Sequence, residues 1–204
     1  LGKAGADNIK QWVEAGGVLI TLGSATRFAA DADIALLDVK RELAVKVEEA
    51  KDKPDSESST VAGKVYANRQ ALVKDSENVE ERPDFVAGIL ANVEVDQEHW
   101  LTAGVAPDVV AMVYGNDIYT PIRLASGKNL AWFADEKNVL ASGFLWQENK
   151  QQLAYKPFLI HQPRGNGMVI GFTQEPTTRA YLDGLNVMLL NSIFSASAHA
   201  HVAK

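Results

Sequence analysis

Two adjacent glycines, Gly16 and Gly17, separate a helical pattern from a strand pattern, and that join limits the folds open to this chain. Ahead of them Ile9, Trp12 and Val13 recur at i, i+3, i+4. This spacing predicts an amphipathic helix over 7–14, with Asp7 or Asn8 as its cap and Gly16 closing it. Behind them Val18-Leu19-Ile20-Thr21-Leu22 is almost wholly apolar, as in a strand covered on both faces. The strand breaks on Gly23-Ser24-Ala25, a small-residue turn with one hydroxyl. In open α/β sheets, the turn at the carboxyl end of a strand is where a nucleophile or ligand site sits. A second helix is expected from about 25 to 33.

The rest of the chain is richer in strands. Alternation over 88–95 and short apolar runs at 109–114, 130–133, 158–161 and 168–172 predict five of them. The Gly165-Asn166-Gly167 turn makes the last two a hairpin. A closing helix is expected over 177–195, with Tyr181, Leu185, Met188, Leu189 and Ile193 on one side, then a frayed tail from His199 to Lys204. Residues 40–82 break this rhythm. Lys and Glu dominate 40–53 and Pro54–Ser59 is turn-like, so the segment reads as an insertion or surface flap. The order predicts a single three-layer α/β domain over 1–204, its open sheet partly parallel with antiparallel edge strands. The first strand of such a unit is expected upstream of Leu1.

Composition narrows the function classes. With 204 residues and 47% hydrophobic content, the chain can bury one substantial core. A net charge of -6 argues against a nucleic-acid partner. No apolar run reaches the ~18 residues of a membrane span. The absence of cysteine excludes disulfides, thiolate metal ligands and a thiol nucleophile.

Ser24 is the candidate nucleophile, and it needs a base within hydrogen-bond reach. Of the histidines at 99, 161, 199 and 201, only His161 ends a predicted strand, so Ser24 with His161 is the candidate catalytic pair. The full G-x-S-x-G pattern is absent, because Leu22 and Thr26 occupy its outer positions. The alternative is that Ser24 caps the next helix. Asp96-Gln97-Glu98-His99 comes nearest to a metal motif, but adjacent Glu and His side chains diverge, and no metal or other cofactor is expected in this chain. Gly165-Asn166-Gly167 precedes a strand, the wrong context for a phosphate cradle. Arg164 and Arg179 can hold a carboxylate if the fold joins them, and are otherwise solvated or structural. Trp100, Trp132, Trp146, Phe133 and Phe144 read as core or as the lining of a binding cleft.

Several stretches carry a family resemblance. They are Leu1-Gly2-x-x-Gly5, Trp12-Val13-x-x-Gly16-Gly17-x-Leu19-Ile20, Gly88-Ile89-Leu90 leading to Asp96 and His99, and 138–143 (Asn-Val-Leu-Ala-Ser-Gly). Gly165-x-Gly167-x-Val169-Ile170-x-Phe172, Pro176-x-x-Arg179-Ala180-Tyr181 and Leu189-Leu190-Asn191-Ser192 complete the set. The chain resembles the class I glutamine amidotransferase-like domain found at the C-terminal end of bacterial zinc carboxypeptidase-like proteins of the carboxypeptidase A type. That resemblance implies a flavodoxin-like, glutamine amidotransferase-like sheet. In the amidotransferases the elbow carries Cys paired with a His-x-Glu element. Here Ser24 takes the elbow position and Pro163 stands where the acid of that element belongs, so the resemblance does not extend to glutaminase chemistry. It implies instead a non-catalytic accessory domain, whose partners are an upstream zinc-containing peptidase domain and a peptide or cell-wall substrate. It also implies a periplasmic or secreted parent. A Ser24-dependent hydrolase or amidohydrolase and a small-molecule or carboxylate-binding module are the alternative expectations.

Overall fold

The corner predicted at the paired glycines is built from backbone. In the computed structural model, which describes residues 2–42, 85–180 and 182–200, helix α1 (Gly2–Glu14) runs straight into strand β1 (Val18–Leu22). Asp7 and Asn8 therefore lie inside α1 and cap nothing. The helix closes with Gly16 N–H donating to the Val13 carbonyl at 3.0 Å and Gly17 N–H to that of Trp12 at 2.9 Å. This is a Schellman closure, and Gly16 takes it at φ 121, where a side chain is disfavoured. Most of the 40–82 segment, including Pro54–Ser59, lies outside the described residues, as do Tyr181 and His201.

Six further strands join β1 in one sheet. They are β2 (Val86–Val95), β3 (Asp108–Gly115), β4 (Lys128–Phe133), β5 (Leu140–Ser142), β6 (Pro157–Arg164) and β7 (Gly167–Phe172). The order is β1-β7-β6-β4-β2-β3, with β5 paired to β2 beside β4. β1 runs parallel to β7, from Val18 opposite Met168 to Leu22 opposite Phe172. Every other pairing among the described residues is antiparallel. The parallel part of the mixed sheet is thus its β1–β7 end. β6 and β7 form the expected hairpin, closed at Arg164 and Gly167 around Gly165-Asn166.

Alternation along the strands divides the core in two, as a sheet covered on both faces requires. Leu19, Ile160 and Val169 point to one side and meet Val13 of α1, Ala29 of α2 (Thr26–Ala30), Leu36 and Leu37. Val18, Ile20, Leu22, Met168, Ile170 and Phe172 point to the other. There they meet a layer that includes Leu101 and, from helix α4 (Asp183–Phe194), Leu185 and Met188. The fold is a three-layer α/β sandwich. α3 (Gln147–Leu153) and the short α5 (Ala196–His199) complete the helices. No helix among the described residues is long and apolar enough to cross a membrane.

Four elements depart from expectation. The second helix spans only Thr26–Ala30, after a 3-10 turn at Gly23–Ala25. The closing helix starts at Asp183, because Arg179 sits in a 3-10 turn at φ 51, a conformation no α-helix accommodates. β5 is three residues long, too short for any periodicity to register. The seven residues of α3 include a single apolar one, Leu153, so they show no apolar stripe.

The hairpin seats on the α1–β1 corner with no side chains between them. Asn166 N–H donates to the Glu14 carbonyl at 2.9 Å and Met168 N–H to that of Gly17 at 3.2 Å. A Cβ on Gly167 would stand 2.1 Å from the Gly17 oxygen and 2.2 Å from that of Val13. Gly167→Ala is expected to lower stability by more than about 2 kcal/mol, since backbone must move to admit the methyl. Gly115→Ala, at φ 91 but facing open space, is expected to cost only about 1 kcal/mol. Urea denaturation of the two variants checks this ordering.

Candidate functional site

The carboxyl ends of β1 and β7 form the crevice where an open sheet places a reactive group. Ser24 is there, exposed on the 3-10 turn, and its hydroxyl makes no hydrogen bond among the described residues. It caps nothing: the turn starts from Leu22 and α2 from Ala25, neither with a side-chain cap. The expected capping role is therefore corrected. Thr26 supplies the polar anchor instead. Its Oγ1 donates to the Phe172 carbonyl at 2.7 Å and shares a second hydrogen bond with the Thr21 hydroxyl at 3.1 Å. Gly23, at φ 51, brings the turn against the Glu175 backbone.

The rest of that crevice is cross-braced. The Arg27 guanidinium is forked onto Asp117, with Nη2 reaching Oδ2 at 2.9 Å and Asn116 Oδ1 at 3.0 Å, while Nε bonds Oδ1. Asp117 is buried, and this hydrogen-bonded pairing raises the Arg27 pKa above its ordinary value despite desolvation. Buried Gln174 donates to the Asp117 carbonyl at 3.0 Å and accepts Tyr114 N–H at 3.2 Å. These groups satisfy one another, and among the described residues none is a base aimed at Ser24. The Tyr119 hydroxyl lies buried without a partner among the described residues, and burial raises its pKa.

His161 is elsewhere. It pairs with Ile170 on β7, and Ile170 pairs with Ile20 on β1. His161 therefore stands two strands from β1, roughly 10 Å across the sheet, and some four residues, roughly 13 Å, short of Ser24 along it. The structure does not bring the expected catalytic pair together. It brings His161 instead to His99 and Trp100, with ring centroids 5.1 and 6.1 Å away. His199, expected in a frayed tail, closes α5 and stacks on Trp100 at 4.3 Å with 10° between the planes. Burial pushes the His161 pKa down to about 4, with smaller contributions from His99, Lys128 and His199. Residues so far apart in the chain share no motif, and local spacing gives no signal that they meet.

The remaining candidates scatter. Arg164 is at the β6–β7 turn, where its Nη2 donates to the Ala35 carbonyl at 2.6 Å. Arg179 follows the opposite end of β7, so the strand separates the two guanidinium groups and they form no joint carboxylate clamp. Asp96 Oδ1 accepts Glu98 N–H at 2.9 Å in a turn. No group of three or more His, Asp or Glu side chains among the described residues is placed to hold a metal ion. A cavity of about 610 Å³ opens between α1 and residues 28–34, with Lys3, Asp7, Phe28, Asp31 and Asp33 in its wall, and Ser24, His161, Arg164 and Arg179 do not line it. Phe133 is core, and half-buried Trp132 donates to Glu94 Oε2 at 2.9 Å. Phe144 and Trp146 are on the surface, 68% and 64% exposed, with rings edge to face at 4.9 Å.

In comparisons with known protein families and with curated proteins, the chain matches none. The local geometry makes its own distinction at the elbow. Ser24→Ala is expected to change stability by less than about 0.5 kcal/mol, as an exposed side chain without bonds should. Thr26→Val, which strips a buried hydroxyl from the Phe172 carbonyl, is expected to cost about 1–3 kcal/mol. Thermal denaturation of the two variants separates these roles.

Proposed function

We propose that this chain is a non-catalytic accessory domain of a zinc carboxypeptidase-like hydrolase, used to pack against its catalytic domain or to dock substrate. One observation carries the non-catalytic part: Ser24 stands at the strand end with no base beside it among the described residues, two strands away from His161. Nucleophilic serine catalysis needs that base within about 3 Å. The resemblance in the sequence supplies the kind of parent protein, its periplasmic or secreted setting and its zinc. The same resemblance assigns that zinc to an upstream domain.

The surface supports a docking role. Phe85 and Tyr114 form a second exposed edge-to-face pair at 5.3 Å, and they flank the start of β2 on its β3 side. Phe144 follows Gly143, which abuts Ile89 of β2 on the β5 side. The two aromatic pairs thus stand on either side of β2. Paired exposed aromatics mark interaction surfaces more often than scattered single ones do.

Assays of the protein with ester, amide and C-terminal peptide substrates are expected to show no turnover that Ser24→Ala abolishes. Ser24-dependent hydrolysis would overturn the proposal in favour of a serine hydrolase. Joint Phe144→Ala and Trp146→Ala substitution is expected to leave the melting temperature nearly unchanged. It is expected to weaken association with the catalytic domain, supplied in trans, by about 10- to 100-fold. Unchanged association, measured by titration calorimetry, would remove this surface from the reading.

A further inference from the structure

The cluster of His161, His99, His199 and Trp100 joins three elements that are otherwise distant in sequence. His161 belongs to β6 and is held in the sheet by Lys128 on β4 and Ile170 on β7. His99 and Trp100 open the 3-10 turn at 100–102, and His199 ends the four-residue helix α5. Ring contacts run from His161 to His99 and Trp100, and from Trp100 to His199.

Geometry fixes where the protons sit. His99 Nδ1 accepts Leu101 N–H at 3.2 Å and so caps the turn. Its lone pair is in use there, which places the proton of the neutral ring on Nε2. A second proton can only go to Nδ1, and it removes the acceptor. His161 Nε2 is buried with no hydrogen-bond partner among the described residues, so a charge on that ring has nothing to compensate it. The charged or titratable groups that face the pair are Lys128 from β4, Asp96 beside the turn and His199 from α5. Only Asp96 favours added positive charge.

We propose that this cluster is an acid-released latch: proton uptake by His99 and His161 breaks the cap of the 100–102 turn and frees α5 from Trp100. Leu101 is fully buried, and Asn191 Nδ2 donates to the Leu101 and Ala103 carbonyls at 3.1 and 2.9 Å. α4 therefore keeps hold of the far side of the turn, and release is confined to the cap and α5. The stacking attraction of His199 on Trp100 opposes release. That attraction competes with repulsion from two imidazolium rings in the same cluster.

The direction with pH follows from linkage. In the closed latch both rings have pKa values below the ordinary 6.5, and burial is the first cause for each. The latch is therefore fully held above pH 6.5. It weakens as pH falls from 6.5 towards about 4, because the open form binds more protons throughout that window. For His161 alone, the ratio of open to closed molecules rises about 100-fold between pH 7 and pH 4.

Amide hydrogen exchange followed by NMR at pH 7 and pH 4, expressed as protection relative to the unstructured rate, tests the latch. The amides of Leu101 and of Ala200, which donates to the Ala196 carbonyl, are expected to lose about 100-fold in protection. That of Ile170 in β7 is expected to keep its own. His99→Asn combined with His161→Gln, which retains a side-chain acceptor at the cap but no titrating ring, is expected to abolish the loss. The proposal fails if the wild type loses no protection, if Ile170 falls in parallel, or if the loss persists in the double variant.

Discussion

Everything in this fold hangs on a contact between two stretches of bare backbone. The end of α1 and the β6–β7 turn meet at Gly165 and Gly167, where the carbonyl oxygens of Glu14, Val13 and Gly17 stand closer than any side chain on those glycines permits. That approach lets Met168 bond to Gly17 and so starts the parallel pairing of β1 with β7 at Val18. A shift of one residue would turn Leu19 away from Val13 and Val169 and reverse both faces of the strand. The division of the core into two layers therefore follows from a corner where backbone meets backbone.

The carboxyl end of the same pair of strands is arranged for rigidity. Arg27, Asp117 and Gln174 tie the turn after β1 to the loop after β3 and to the end of β7, each polar group meeting another. A site that processes substrate usually leaves convergent donors or a base directed into open space. Here, among the described residues, an exposed serine stands without such a base or donor set. The polar side chains with a buried atom left unpaired include His161, on the strand ladder well away from that crevice.

Much of the fold was legible because its signals are local. β1 falls where its apolar run predicts it, and the β6–β7 turn is set by Gly165-Asn166. What local pattern could not reach was either too short or too distant. β5 has three residues, and α3 carries one apolar residue in seven. The true start of the closing helix depends on the backbone of Arg179, which no apolar spacing reveals. Ser24 was legible as a position but not as a role, because a catalytic serine is defined by a partner that only the tertiary fold supplies. The grouping of His99, His161 and His199 was beyond the sequence for the same reason.

The strip at 40–42 carries a consequence of its own. Glu42 N–H donates to the Ile118 carbonyl at 2.7 Å, and Lys156 bonds its carboxylate at 2.6 Å. The next described strand enters at Val86, opposite Gly115. Gly115 and Ile118 are three residues apart, so positions 42 and 86, far apart in the chain, are held no more than roughly 20 Å from each other. One short loop after β3 thus anchors two distant parts of the sequence, and a change at residues 116–118 would reach both at once.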